Sequence, residues 1–241
     1  MLPEEFGWLF AQMYSIPDNC IIAEIGSCRG TSAIAFVKGL KAFNKKGIVY
    51  CIDPWTGSQT ELERYLWKKE LAMGPDEFYR QFEHNVKKMD CFDLIQPMRM
   101  KSNEAVKHFE DASVDLIFID GDHSFEATYE DLTLWRPKLK RYGVFCGHDV
   151  DMPSVKDAVT RYAFEKNYLV SAVTDNLWTM VTDDILAISD KYCLDGEDCG
   201  DYIIELMQTP HEPLELGLPN HIMAARRKAL ENSTKKGTED E

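Results

Sequence analysis

The sequence predicts a doubly wound α/β fold, a mostly parallel sheet with helices on both faces that ends in an antiparallel hairpin. Three observations predict it. Short apolar runs recur at residues 21–25, 48–52, 94–98, 114–119 and 144–146, each the length of a buried strand. Stretches with apolar residues three and four apart separate them, as crossover helices require. Residues 168–173 and 177–181 then flank the polar break Thr174-Asp175-Asn176, which suits a hairpin turn.

Taken in order, residues 4–13 read as a helix stopped by Ser15-Ile16-Pro17. It suits packing on the sheet or on a second copy of the chain, which leaves a homo-oligomer open. Residues 31–43, 78–89, 103–109, 125–139 and 155–164 are the crossover helices. Residues 56–75 form an insertion whose Trp67 and Leu71 share a helix face, and it is expected to overhang the strand ends as a lid. Trp135 and Leu139 read as core, and residues 138–141 as a solvated helix end. Beyond Val181 the pattern decays, with short helices expected at 202–207 and 222–230. The predicted organisation is an N-terminal helix in 1–17, one domain over 18–183, an extension over 184–232, and a disordered tail over 233–241 that has charge and no apolar anchor.

Composition narrows the function. A hydrophobic content of 44% in 241 residues allows one sizeable core. No run approaches the roughly 18 apolar residues of a membrane span. The opening Met1-Leu2-Pro3-Glu4-Glu5 carries acid where a secretory signal carries base, so a cytoplasmic protein is expected. The seven cysteines are odd in number and several sit in apolar runs, which fits reduced thiols; Cys193 and Cys199 lack the spacing of a zinc ribbon. Net charge is -14, and residues 184–241 alone carry 13 acids against 6 bases. Such a field repels polyanions, so nucleic acid is a poor substrate candidate; Arg226-Arg227-Lys228 reads as a solvated helix face.

Two features point to an adenosine-type ligand. The segment from Ile21 through Gly26, Ser27, Cys28, Arg29 and Gly30 to Thr31 and Ser32 is a strand, a glycine turn and a helix start. Gly26 allows the sharp turn, Gly30 is expected to let backbone approach a ligand, and the free N–H groups of the helix start suit a carboxylate. Cys28 occupies the position where a dinucleotide pyrophosphate wants glycine, which disfavours a nicotinamide oxidoreductase. Asp53 ends the second strand, where a carboxylate can accept both ribose hydroxyls. Either feature alone reads as an ordinary βα turn with a capping acid; together in strand context they favour a ligand.

The polar strand ends carry the chemistry. The buried run 114–119 leads into Asp120-Gly121-Asp122-His123, and 142–146 leads into Gly147-His148-Asp149. Ligands of open α/β sheets sit beyond the carboxyl ends of the strands. If these two strands are neighbours, Asp120, His148 and Asp149 converge as a divalent metal site. His123 is a candidate general base, since an imidazole takes a proton near neutral pH. The bland alternative has His123 capping the helix that begins near Ser124, with Asp122 as a solvated turn acid.

These motifs resemble those of class I S-adenosylmethionine-dependent methyltransferases. Glu24-Ile-Gly-Ser-Cys-Arg-Gly-Thr-Ser is similar to their first motif and Ile52-Asp53-Pro54-Trp55 to their acidic second motif. Phe118-Ile-Asp-Gly-Asp-His-Ser-Phe with Gly147-His148-Asp149 resembles the small-molecule O-methyltransferase branch, which includes macrolide-sugar and cephamycin-pathway enzymes and, more distantly, catechol O-methyltransferases. The likeness spans residues 18–182. It implies a Rossmann-like methyltransferase sheet, with Glu24, Gly26 and Ser27 facing the methionine moiety, Asp53 beside Pro54 and Trp55 at the ribose, and Ser102 with Asn103 at the adenine. Asp120 would lie against cofactor and metal alike. In the resembling enzymes the metal lowers the pKa of a substrate hydroxyl. His148 stands where those families carry an acid, which leaves room beside magnesium for manganese or another transition metal. His123 matches the position of the catechol enzymes' base.

The reading is therefore a methyltransferase acting on a hydroxyl of a small molecule such as a sugar or other polyhydroxylated metabolite, with S-adenosylmethionine and a divalent metal. The alternatives are a metal-independent methyltransferase and a non-catalytic cofactor-binding or scaffold protein.

Overall fold

A computed structural model of the chain describes residues 1–57, 68, 72–74 and 76–181. The lid expected at 56–75 lies almost wholly outside the described residues. So do the extension, the tail, the helices expected at 202–207 and 222–230, Cys193, Cys199 and the basic run at 226–228.

The sheet has seven strands: β1 (Cys20–Ile25), β2 (Gly47–Ile52), β3 (Ile95–Met98), β4 (Val114–Ile119), β5 (Leu139–Gly147), β6 (Leu169–Ala172) and β7 (Trp178–Val181). Their order is β3-β2-β1-β4-β5-β7-β6, parallel through β5 and antiparallel across β7 and β6. The doubly wound plan and the terminal hairpin are as the sequence predicts. Because the chain goes outward from β1 through β2 to β3 and then returns to β4, the winding reverses between β1 and β4. Their ends stand level there, Ile25 beside Ile119, and a reversal of this kind opens a ligand crevice at the carboxyl ends.

Six helices among the described residues cover the faces: α1 (Pro3–Ser15), α2 (Thr31–Ala42), α3 (Glu77–Lys88), α4 (Ser102–Ala105), α5 (Phe125–Trp135) and α6 (Pro153–Lys166). Alternate residues of β1 feed two cores. Cys20 and Ile22 pack with Leu9, Met13, Phe36, Leu40 and Phe82 of α1, α2 and α3, while Ala23 and Ile25 join the core holding Leu132, Trp135, Val159 and Tyr162 of α5 and α6. β4 is buried along its whole length because both faces are covered. Among the described residues Cys20, Cys51, Cys91 and Cys146 are buried and Cys28 is exposed, and none of them forms a disulfide. Among the described residues no helix is long and apolar enough to cross a membrane.

Three expectations are corrected. The helix expected over 103–109 contracts to α4 and the 3-10 turn Val106–His108. The helix expected over 125–139 stops at Trp135, with a 3-10 turn over Arg136–Lys138. Pro137 explains this, since it offers no N–H to continue the helix. Residues 139–141 thus begin β5, which starts five residues earlier than the apolar run suggests: Leu139 pairs with Val114, and Lys140 Nζ reaches Asp115 Oδ2 at 2.9 Å. That lysine neutralises an otherwise buried acid, so its charge belongs to strand pairing.

Candidate functional site

The loop from β1 to α2 stands at the carboxyl end of β1, beside the reversal of winding. Gly26 (φ +87°) and Gly30 (φ +81°) both occupy the left-handed region, and Cys28 joins them at φ 41°. Gly26 N–H donates to Ile52 O at 2.8 Å and Asp120 N–H to Ile25 O at 2.8 Å, so the sheet ladder carries β1, β2 and β4 into the loop together. Gly30 stands at the N-cap of α2. An added Cβ there would come within 2.9 Å of Val86 and 3.0 Å of Phe82. Packing of the loop on α3 therefore requires a glycine there. Thr31 is exposed at the start of α2, and Ser32 is buried beside Glu24.

Asp53 grips this loop from the neighbouring strand. Its Oδ2 accepts the N–H of Cys28 at 2.9 Å and its Oδ1 that of Trp55 at 2.6 Å. The Trp55 indole N–H donates in turn to Cys28 O at 2.8 Å. Both backbone polar groups of Cys28 are thus held by the turn that carries Asp53, Pro54 and Trp55. The Trp55 ring is 1% exposed, with Tyr79 and Phe82 at ring-centroid distances of 5.0 and 4.8 Å. That ring supports the loop from within the core. Asp53 itself stays partly exposed, and each oxygen keeps capacity to accept a further donor. Burial raises its pKa, and the two backbone donors oppose that rise.

Glu24, at the end of β1, is fully buried, and neither carboxylate oxygen meets a hydrogen-bond partner. Burial raises its pKa, and the nearby Ser27, Ser32 and Cys51 moderate the rise. A buried carboxyl without a donor is costly, which makes it a natural acceptor for a ligand N–H or ammonium. Ser27 Oγ is likewise buried without a partner.

Ser102 opens α4. Its hydroxyl donates to Asp131 Oδ1 and accepts the Trp135 indole N–H at 2.8 Å. Asn103 beside it is exposed. Asp131, which the sequence reading missed, is 6% exposed, and burial lifts its pKa to about 7. Asp131 falls among apolar residues on one face of α5, with Leu132 and Trp135. An acid at such a position is the signal that could have found it.

The polar ends of β4 and β5 do converge. One ligand atom each of Asp120, His123 and Asp149 lies within 4.8 Å of the others, and all three residues are partly buried. His123 Nε2 stands 2.9 Å from Asp149 Oδ2. His148 Nδ1 stands 3.0 Å from Asp149 Oδ1 and 3.9 Å from Asp120 Oδ1. Burial and the neighbouring Asp149 push the Asp120 carboxyl well above the usual range, with His148 opposing. For Asp149 burial works against ionisation, but hydrogen bonds from His123, His148 and Asp120 hold its pKa well below that range. His148 rises to about 9: burial alone would lower it, and Asp149, Asp120 and Glu5 outweigh that. Their surroundings thus pull the two carboxyls in opposite directions, Asp120 upward and Asp149 downward.

His123 does not cap the following helix. Ser124 does, its hydroxyl accepting Ala127 N–H at 3.3 Å, while exposed Asp122 accepts Ser124 N–H at 2.9 Å. The sequence reading also missed Glu5, whose Oε2 lies 3.2 Å from His148 Nε2. Glu5 shares the buried face of α1 with Trp8, Leu9, Gln12 and Met13, and an acid in that apolar series is again the available signal.

Comparison with known proteins fits this geometry. Residues 23–150 match the family described as methyltransferase domain. A curated relative, the uncharacterized protein y4gI of Sinorhizobium fredii, is 27% identical over 131 residues, which are 54% of this chain and 13% of that protein. The chain therefore matches only a small part of that relative's length. Among solved structures, cofactor-bound Rv0187 from MTB aligns with TM-score 0.55 at 14% identity, covering 76% of this chain and 81% of that one. The O-methyltransferase NovP aligns with TM-score 0.55 at 18% identity over 74% and 80%. The SAM-dependent O-methyltransferase TM0748 of Thermotoga maritima aligns with TM-score 0.51 at 14% identity over 72% and 55%. At these identities the structural likeness is one of fold.

Proposed function

The chain belongs to the methyltransferase domain family that its residues 23–150 match, and from that premise we propose that it transfers a methyl group from S-adenosylmethionine to a hydroxyl of a small molecule, assisted by a divalent cation. The observation that carries the reading is the meeting of Asp120, His123 and Asp149 at the crevice beside the glycine loop. A binding module has no use for two acids and an imidazole gathered there.

The residues present fit both groups. The orphaned oxygens of Glu24 suit the ammonium of a methionine moiety, with Ser27, Gly26 and the start of α2 beside it. Asp53 is assigned the ribose, and Ser102 with Asn103 the adenine. Because Asp131 and Trp135 already engage the Ser102 hydroxyl, that hydroxyl can offer a ligand only its remaining lone pair. For the cation, Asp120 and Asp149 supply oxygens and His148 Nδ1 a nitrogen. That donor set suits manganese or another transition ion better than magnesium.

When bound, S-adenosylmethionine supplies an electrophilic methyl group, and the cation supplies Lewis acidity that eases loss of the hydroxyl proton. Asp120 and Asp149 would orient the acceptor hydroxyl, so that much of the rate would come from positioning. His123, held by Asp149 at 2.9 Å, would take the proton that the acceptor hydroxyl gives up. A second reading makes His123 a metal ligand, since its ligand atom already groups with those of the two acids.

The test is transfer of labelled methyl from S-adenosylmethionine into a panel of hydroxylated small molecules, with and without manganese or magnesium, beside equilibrium dialysis of donor and product. Metal-stimulated transfer is expected. Dialysis that detects neither compound on the protein would end the enzymatic reading.

A further inference from the structure

The carboxylate of Glu5 is the one acid of the N-terminal helix that reaches the reaction centre among the described residues. It is fully buried, and its Oε2 stands at an ion-pair distance of 3.2 Å from His148 Nε2, a buried ring nitrogen that makes no aligned hydrogen bond. Its Oε1 accepts the Thr174 hydroxyl at 3.3 Å, and Leu2 N–H closes on Oε2 as the reciprocal half of a helix cap. Held by a cap and by the turn before β7, Glu5 has little freedom to turn away. On its other side the His148 ring presents Nδ1 to Asp149 at 3.0 Å and to Asp120 at 3.9 Å.

We propose that Glu5 is a positioning residue, which fixes the His148 ring with Nδ1 toward Asp120 and Asp149 and so makes the N-terminal helix part of the reaction centre. The proposal deepens the metal reading of that cluster and rests on it. A histidine that ligates a metal through one ring nitrogen is oriented by a carboxylate on the other, and losing such a partner weakens metal affinity about 10- to 100-fold. Here the orienting carboxylate comes from a helix that precedes the first strand, outside the polar strand ends that supply the ligands. A fully buried acid at the opening of the chain has a structural purpose in the cap, but the cap explains only one of its contacts. The Oε2 atom also faces an imidazole that is itself 10% exposed and directed at two acids.

The test compares the full chain with Glu5→Gln, and with Thr174→Val as a control that removes the other side-chain partner of Glu5 and leaves His148 untouched. Glu5→Asp, which keeps the charge and withdraws it by one methylene, serves if Glu5→Gln does not fold. Two quantities are read: the ring 15N shifts of His148 in metal-free protein at fixed pH, assigned with His148→Gln, and the dissociation constant for Mn2+. Glu5→Gln is expected to move the His148 shifts and weaken Mn2+ binding about 10- to 100-fold, with S-adenosylhomocysteine affinity unchanged, while Thr174→Val moves neither. His148 shifts unchanged by loss of the carboxylate, or moved equally by Thr174→Val, would overturn the proposal. If the unaltered chain binds no Mn2+, the metal reading fails by itself, and the 15N comparison still decides whether Glu5 holds the ring.

Discussion

Gly26 lies directly on the backbone of Asp120: a Cβ at Gly26 would stand 1.9 Å from the Asp120 carbonyl oxygen. The turn of the glycine loop and the acid at the end of β4 are therefore seated on one another. With φ at +87°, Gly26 is also in a conformation that L side chains avoid.

Gly26→Ala should consequently cost about 2–5 kcal/mol, since both backbones must shift, and should abolish cofactor binding with it. Thermal unfolding and calorimetry with S-adenosylhomocysteine check both. A variant with unchanged melting and affinity would show that the two strand ends are not wedged.

Asp53 makes a separate prediction. In Asp53→Asn an amide NH2 must face one of the two backbone N–H donors now accepted at 2.9 and 2.6 Å. A lost charge-assisted hydrogen bond of this kind costs about 1–3 kcal/mol. S-adenosylhomocysteine affinity should fall about tenfold or more, because the Cys28 turn loosens and the ribose loses an acceptor. Equal affinity in the variant would exclude Asp53 from the ligand site.

Asp131 gives a pH dependence. Its folded-state pKa of about 7 lies above the ordinary carboxylate value of 3.8 because the side chain is buried. The folded protein then holds this proton more tightly than the unfolded chain, so the stability it contributes is full below pH 3.8 and is lost as pH rises toward 7. Between pH 5 and 8 the loss is about 2–3 kcal/mol. Asp131→Asn, which keeps the acceptor for Ser102, should remove that share of the decline in urea unfolding and be relatively more stable at pH 8. Parallel pH profiles for the two proteins would refute it.

His123 separates two roles. As a base held by Asp149 at 2.9 Å, its replacement by Ala should lower kcat about 10^2- to 10^4-fold and leave Mn2+ affinity near that of the unaltered chain. As a ligand, its loss should weaken Mn2+ binding in proportion to activity. Calorimetry beside turnover decides between them, and full turnover in His123→Ala would discard both.

Much of the fold was legible because strand and helix periodicities are local. Isoleucine- and valine-rich runs marked β1, β2 and β4, and Thr174-Asp175-Asn176 marked the closing hairpin. Misreadings arose where a local cue competed with pairing. Leu139 sits at helix spacing from Trp135, but Pro137 ends the helix and pairing with Val114 makes Leu139 a strand residue. At Gly30 the packing demand comes from Phe82 and Val86, side chains more than fifty positions later in the chain, which no local pattern reveals.

What the sequence determined by itself is the set of polar groups delivered to strand ends: Glu24, Asp53, Asp120, His123, His148 and Asp149 each follow or end an apolar run, and a parallel strand carries its last residues to one edge. What only the tertiary structure decided is how those groups divide contacts and protons. Glu5 reaching His148, Asp131 holding Ser102, and Asp149 reaching His123 all depend on distances between residues remote in sequence. Burial then sets their electrostatics, because a carboxyl removed from water takes its charge state from its nearest partners.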